Sequence, residues 1–223
     1  MSLIIAKTLA KSYGSGEAEV KALKEASFTI TEGEFVSVMG ESGSGKSTLL
    51  SILGALNTPT EGNLEVAGID VYSLSAEKRA DFRREFLGFV FQNFRLIPYL
   101  TLAENTMLPL AVMPLPKAKK IQMAQKALAH VGLAEKMGRL PSQVSGGEQE
   151  RAAVARAIVN EPPILLADEP TGNLDSHTAG EMMELLKALN GQGMTVVMVT
   201  HSEKCDSAAW RHLKVFDGVV TER

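Results

Sequence analysis

The run Gly40-Glu41-Ser42-Gly43-Ser44-Gly45-Lys46-Ser47 stands between an apolar stretch at 35–39 and the helix-forming stretch Thr48-Leu49-Leu50-Ser51-Ile52-Leu53. It matches GxxxxGK[ST], a pattern that carries meaning when a strand precedes it and a helix follows. Glycines let backbone N–H groups close on phosphate oxygens, and the N-terminus of the helix that Thr48 opens adds partial positive charge. Lys46 supplies a mobile cation, and the Ser47 hydroxyl suits Mg²⁺ beside a triphosphate. Residues 40–48 are therefore the expected nucleotide-binding loop. A Rossmann dinucleotide site is excluded, because Lys46 and Ser47 occupy the positions where GxGxxG would continue.

A strand that feeds such a loop is buried on both faces of a parallel sheet, and the runs at 35–39, 164–167 and 195–199 are continuously apolar as that requires. Shorter or alternating runs at 3–6, 26–30 and 64–66, set among Gly14, Gly16, Gly33 and Gly62, read as strands of a mixed sheet. Helical spacing covers 101–112, 117–131 and 146–159, and Thr101/Glu104 and Ser145/Glu148 have capping-box spacing. The expected fold is α/β: a P-loop core with a mixed, largely parallel sheet, an antiparallel β subdomain and a helical subdomain over roughly 93–160. With 223 residues, 45% of them hydrophobic, and no Gly/Ser linker, the chain reads as a single domain over 1–223.

Charge and cysteine usage narrow the setting. Lys and Arg number 23 against 26 Asp and Glu, a formal net charge of -3, so no basic footprint for nucleic acid exists. The single cysteine, Cys205, has no partner for a disulfide and points to a reducing compartment. No apolar run approaches the ~20 residues that span a bilayer, so membrane work requires another chain.

Ile164-Leu165-Leu166-Ala167 leads into Asp168-Glu169, placing two carboxylates at the carboxyl end of a buried strand, where ligands of open α/β sheets bind. Asp168 is assigned to magnesium and Glu169 to polarising the attacking water, since phosphoryl transfer needs metal, charge stabilisation and a positioned nucleophile. His201 ends a further apolar strand and is a candidate for the γ-phosphate or the water. A second anion site is suggested by Ser145-Gly146-Gly147-Glu148-Gln149, where a serine and two glycines open a helix without a lysine.

This last run, with the phosphate loop before it and Asp168-Glu169 after it, closely resembles the signature of ATP-binding cassette (ABC) ATPases. The resemblance extends over the whole chain. It implies an enzyme that hydrolyses ATP with Mg²⁺ and pairs with a second, identical cassette, so that Ser145, Gly146, Gly147 and Glu148 contact the ATP held by the partner. By the same resemblance Tyr13 looks like the aromatic that stacks on adenine and Gln92 like the Q-loop glutamine at metal and water. Asn173, Leu174 and Asp175 look like the D-loop at the dimer seam. Lys46, Gln92, Glu169 and His201 are thus the implied catalytic set, and Ser47, Gln92 and Asp168 the implied metal ligands.

The wording of 168–175, with Gly88-Phe89-Val90-Phe91-Gln92 and Leu96-Ile97-Pro98, is similar to bacterial lipoprotein-releasing, macrolide-efflux and cell-division cassettes. That branch implies an integral membrane permease as partner and a location on the cytoplasmic face of the inner membrane. Two departures stand out: Val144 where Leu is usual, and Glu148 where Gln is frequent. Glu148 falls in the first helical turn, where a carboxylate suits the helix dipole. Apolar residues at 91–100, with Leu96 and Tyr99 among them, are expected either to dock that permease or to pack within the helical subdomain. Rival functions are a soluble nucleic-acid ABC ATPase, disfavoured by the absence of coiled coils or a second cassette, and a P-loop kinase, which would lack the signature.

Overall fold

The computed structural model describes residues 2–222, leaving the two end positions of the 1–223 unit outside it. The chain opens with two long strands, β1 (Ser2–Tyr13) and β2 (Val20–Thr31), then β3 (Phe35–Met39), helix α1 (Lys46–Leu53), β4 (Glu61–Val66) and β5 (Ile69–Asp70). Next come α2 (Ala76–Phe86), β6 (Leu87–Val90), α3 (Leu102–Met107), α4 (Lys117–His130) and α5 (Gly146–Ile158). The last part holds β7 (Ile164–Asp168), α6 (Ser176–Gly191), β8 (Thr195–Thr200), α7 (Glu203–Asp206), β9 (Arg211–Phe216) and β10 (Val219–Glu222).

Two sheets result. The antiparallel one has the order β2-β1-β4-β5, and the core sheet runs β10-β9-β3-β8-β7-β6. Within the core sheet only the β9/β10 pair is antiparallel. Alternate residues of the central strands feed two separate cores, which is why these strands read as continuous apolar runs. Val36, Val38, Ile164, Leu166, Val197 and Val199 pack with α1 and the antiparallel sheet. Phe35, Leu165, Ala167, Val196 and Met198 pack with α4, α5 and α6. Each of these side chains other than Ala167 contributes roughly 1.5–3 kcal/mol on burial. The α/β architecture with its antiparallel sheet agrees with the expectation.

Element boundaries differ from the sequence reading in identifiable ways. The helix expected over 101–112 stops at Met107 and continues as a 3₁₀ turn, Leu108–Leu110. Pro109 has no N–H to donate to the Asn105 carbonyl, so the α ladder cannot continue. Helix α2 carries no apolar stripe, Phe82 being its one buried residue, and is specified instead by Ser75, whose side chain accepts from Lys78 N–H. In β1 and β2 the alternation is broken by Thr8 and Glu25, which adopt φ of +46° and +47° where the pairing register shifts.

Candidate active site

Four neighbouring strands of the core sheet, β3, β8, β7 and β6, end on the same edge, and each delivers one sequence-predicted group there. Met39 pairs with Thr200, Asp168 with Val199 and Val90 with Ala167, so the loop at 40–47, His201, Asp168-Glu169 and the segment carrying Gln92 emerge at one level.

The loop geometry demands its glycines. A Cβ on Gly40 would lie 2.2 Å from the Val215 carbonyl oxygen, and Gly45, at φ +109°, would put one 2.3 Å from that of Ala22. Lys46 is buried at the start of α1, and its Nζ donates to the carbonyls of Gly40 (2.8 Å) and Glu41 (2.7 Å), folding back along its own loop. Ser47 Oγ donates to Asp168 Oδ1 at 3.3 Å. Burial, with the negative charge of Glu169 beside it, pushes the Asp168 carboxyl up, while the Ser47 hydroxyl and Lys46 oppose the shift. A dication between Ser47 and Asp168 would reverse the burial penalty, and an all-oxygen pair is the chemistry that Mg²⁺ prefers.

Glu169 occupies the left-handed region at φ +48°, which costs a non-glycine residue on the order of 1–3 kcal/mol. The turn brings its carboxylate off the strand, where Oε2 accepts from Gln92 Nε2 at 3.2 Å and lies 3.1 Å from His201 Nδ1. Three predicted groups thus meet at one oxygen. Gln92 spends its amide nitrogen there and keeps its carbonyl oxygen for another partner. A Cβ on Gly172 would lie 3.4 Å from both Gln92 Nε2 and Glu169 Oε2, so this glycine borders the cluster at ordinary contact distance.

The signature residues lie apart from the loop and have other partners. Ser145 caps α5, with its Oγ accepting from Glu148 N–H at 3.3 Å while Glu148 Oε2 accepts from Ser145 N–H at 3.0 Å. The other Glu148 oxygen is bound to Lys136, and these two donors, Lys136 first, hold the carboxyl below the usual range. A Cβ on Gly147 would meet Thr178 of α6 at 2.2 Å, whereas one on Gly146 would meet nothing within 4 Å. One glycine therefore serves packing inside the chain; the other leaves a bare helix start.

Tyr13 is exposed at the end of β1, with Lys11 Nζ 5.2 Å from its ring centroid and its hydroxyl accepting from Asn57. Asn173 Nδ2 donates to the main-chain carbonyl of Gln92 at 3.0 Å, Leu174 packs on the core under α5 and α6, and Asp175 caps α6. One contact had no signal in the sequence. Arg156, in the last turn of α5, donates to the carbonyls of Phe94 and Arg95, both at 2.6 Å. Those two residues sit at φ +50°, so the guanidinium braces a strained stretch just after Gln92.

This loop, on the central strand of a doubly faced parallel sheet, defines a P-loop nucleoside triphosphatase. The family model described as ABC transporter matches residues 23–172. An uncharacterized ABC transporter ATP-binding protein of Methanocaldococcus jannaschii, MJ1508, is 47% identical over 220 residues, covering 99% of this chain and 98% of that one. The lipoprotein-releasing system ATP-binding protein LolD of Geobacter metallireducens is 44% identical, with 98% of each chain covered. The macrolide export ATP-binding/permease protein MacB of Aggregatibacter actinomycetemcomitans is 41% identical across 99% of this chain, which spans 34% of that protein. Among solved structures, the dimeric post-hydrolysis state of the ATP-binding cassette MJ0796 bound to ADP and Pi superposes with a TM-score of 0.91. It is 43% identical, over 99% of this chain and 98% of that one. The chain belongs to the ABC transporter family and is an ABC ATPase.

Proposed function

We propose that this chain is the ATP-hydrolysing subunit of a membrane transporter, pairing with a second copy around two ATP molecules and driving a permease of the lipoprotein-release or macrolide-efflux type. The observation that carries the reading is the meeting of Gln92, Glu169 and His201 at one carboxylate oxygen beside the loop that holds Lys46. In this reading Tyr13 stacks on adenine, and residues 40–48 wrap the phosphates. Lys46 exchanges its two carbonyl partners for phosphate oxygens. Ser47, Asp168 and Gln92 would hold Mg²⁺, which neutralises phosphate charge when bound. Glu169 takes a proton from the attacking water, and His201 orients that water and the γ-phosphate.

Pairing is supported by the bare start of α5. Ser145 and Gly146 are exposed, and among the described residues the Ser145 hydroxyl hydrogen-bonds within its own capping box while a Cβ on Gly146 would meet nothing within 4 Å. A partner's γ-phosphate would find there free N–H groups and the positive end of the helix dipole. Asn173, by holding the Gln92 carbonyl, ties the D-loop to the segment that senses the metal site. Steady-state ATPase activity should therefore rise as the square of protein concentration in the dilute range, becoming linear once pairs saturate. Strict proportionality down to the lowest concentrations would contradict obligate pairing.

The membrane partner is supported by an apolar groove of about 460 Å³ between α2 and α5, lined by Leu87, Phe89, Leu108, Pro109 and Val112, with Arg156 at its wall. Val112 is 74% exposed and Tyr99 77%, whereas Leu96 packs into the core, so the two alternatives for 91–100 divide between residues. No helix among the described residues is long and apolar enough to cross a membrane. On this reading the chain lies on the cytoplasmic face of the membrane, bound through its permease. Val112→Asp should leave the ATPase rate of the isolated chain within about two-fold and lower permease-stimulated activity at least about five-fold, as for a charge placed in an apolar contact. Equal stimulation of both forms would move the docking site elsewhere.

A further inference from the structure

The helix that follows His201 is too short to stand alone. Helix α7 has four residues, Glu203–Asp206, and Ser202 gives it no side-chain cap. A helix of this length lacks the cooperativity that sustains longer ones, so its position is set by what its side chains grip. His201 has little else to hold it. Its ring is mostly exposed, and its recorded side-chain partner is Glu169.

Two buried side chains of α7 make the grip. Cys205 Sγ lies 3.2 Å from Thr171 Oγ1, in the turn just after Glu169. Asp206 Oδ1 accepts from the hydroxyl of Ser37, a fully buried residue of β3 three positions before Gly40. The same Asp206 oxygen lies 3.2 Å from His212 Nδ1 on β9, and Ser37 Oγ lies 3.1 Å from that nitrogen. Asp206 thereby joins α7 to the strand that carries the phosphate loop and to the strand beyond it. The cluster and the loop border one cleft of about 610 Å³, whose lining includes Gly40, Glu41, His201, Asp206 and His212.

A buried carboxylate is an expensive fastener, because desolvation opposes it unless its partners are well aimed. Apolar side chains would hold four residues to a sheet at lower cost. What polar contacts add is direction: a shift of α7 along β3 would break the bond from Ser37. We propose that Asp206 is a positioning residue for ATP hydrolysis, fixing α7 to β3 and β9 so that His201 is held at hydrogen-bond distance from Glu169. It acts through His201, and rests on the part in hydrolysis given to His201 above.

The test is a double-mutant cycle on the full chain, assayed above the concentration at which pairing saturates. Asp206→Ala should lower kcat about ten-fold, in keeping with the loss expected when a catalytic group is misplaced by a fraction of an ångström, with KM for ATP within about two-fold. Asp206→Asn, whose Oδ1 still accepts from Ser37, should recover most of the rate. In a His201→Ala background Asp206→Ala should cost no more than about two-fold further. Ser37→Ala removes the other end of the same bond and carries the same expectation if Asp206→Ala fails to fold. Equal losses in both backgrounds, or a KM that rises as kcat falls, overturn the inference alone. An undiminished rate in His201→Ala overturns it together with the assignment of His201.

Discussion

Glu169→Gln is expected to retain ATP and to hydrolyse it about 10²–10⁴-fold more slowly, the range expected when a general base is removed. The side chain keeps its length, and the amide oxygen can still accept from Gln92 or His201, which now face Oε2 at 3.2 and 3.1 Å. What is lost is the ability to take a proton from water. Because the phosphate loop, Ser47 and Asp168 are untouched, nucleotide affinity should stay within a few-fold. With hydrolysis stalled, ATP should accumulate a two-chain species visible by light scattering, and ADP should not. A variant that hydrolyses within about three-fold of the parent rate would remove Glu169 from the role of base.

Glu150→Gln is expected to stabilise the protein, increasingly so as pH rises. Glu150 is 1% exposed on α5, and its Oε1 has no hydrogen-bond partner among the described residues. Burial pushes its carboxyl up to about 8, with Arg156 opposing the shift. In the unfolded chain the same group titrates near 4.3. Below that value both states hold the proton and the contribution of the neutral carboxyl is complete. As pH rises toward about 8 the unfolded chain ionises while the folded one does not, so stability is lost across that window. The loss is on the order of several kcal/mol at most, at about 1.4 kcal/mol per unit of separation. A glutamine cannot ionise, so it is free of this loss. The Tm gap between Glu150→Gln and the parent should widen from about 2–4 °C at pH 5 to about 10–20 °C at pH 8, at 2–4 °C per kcal/mol for a chain of this size. A gap of constant size across that range would show that Glu150 is not held neutral.

The two predictions draw on features of unequal legibility. The placement of Glu169 at the end of β7 could be read directly, because the expected phosphate chemistry is written in contiguous residues: a loop must be glycine-rich over its own eight positions, and a candidate metal-binding carboxylate must end a strand. Ser145 and Glu148 were legible for the same reason, since a capping box is a local arrangement. Glu150 left a fainter trace. It falls in the stripe of Gly147, Ala153, Val154 and Ala157, all buried, so helical spacing implies its burial although its chemistry argues against it.

What stayed hidden depends on tertiary contact. Ser37, Asp206 and His212 are scattered over three elements and share no spacing. The brace from Arg156 to Phe94 and Arg95 spans about sixty residues of sequence. Helix α2 was missed because its stability rests on its cap and one phenylalanine rather than on an apolar stripe. The bulges at Thr8 and Glu25 erased the two-residue rhythm that would have revealed the full length of β1 and β2.

Helix α5 carries the bare start at Ser145 at one end and the Arg156 grip at the other. Its 13 residues make a rod of roughly 20 Å, and near its start Gly147 rests against Thr178 of α6. A rod pivoting there would have a short arm toward the proposed partner cassette and a long arm toward the groove between α2 and α5. By that ratio a tilt of about 10° moves Ser145 by less than 1 Å and the far end by about 3 Å. On the proposed pairing and docking, a small closure at the phosphate would become a displacement of a few ångströms at the groove.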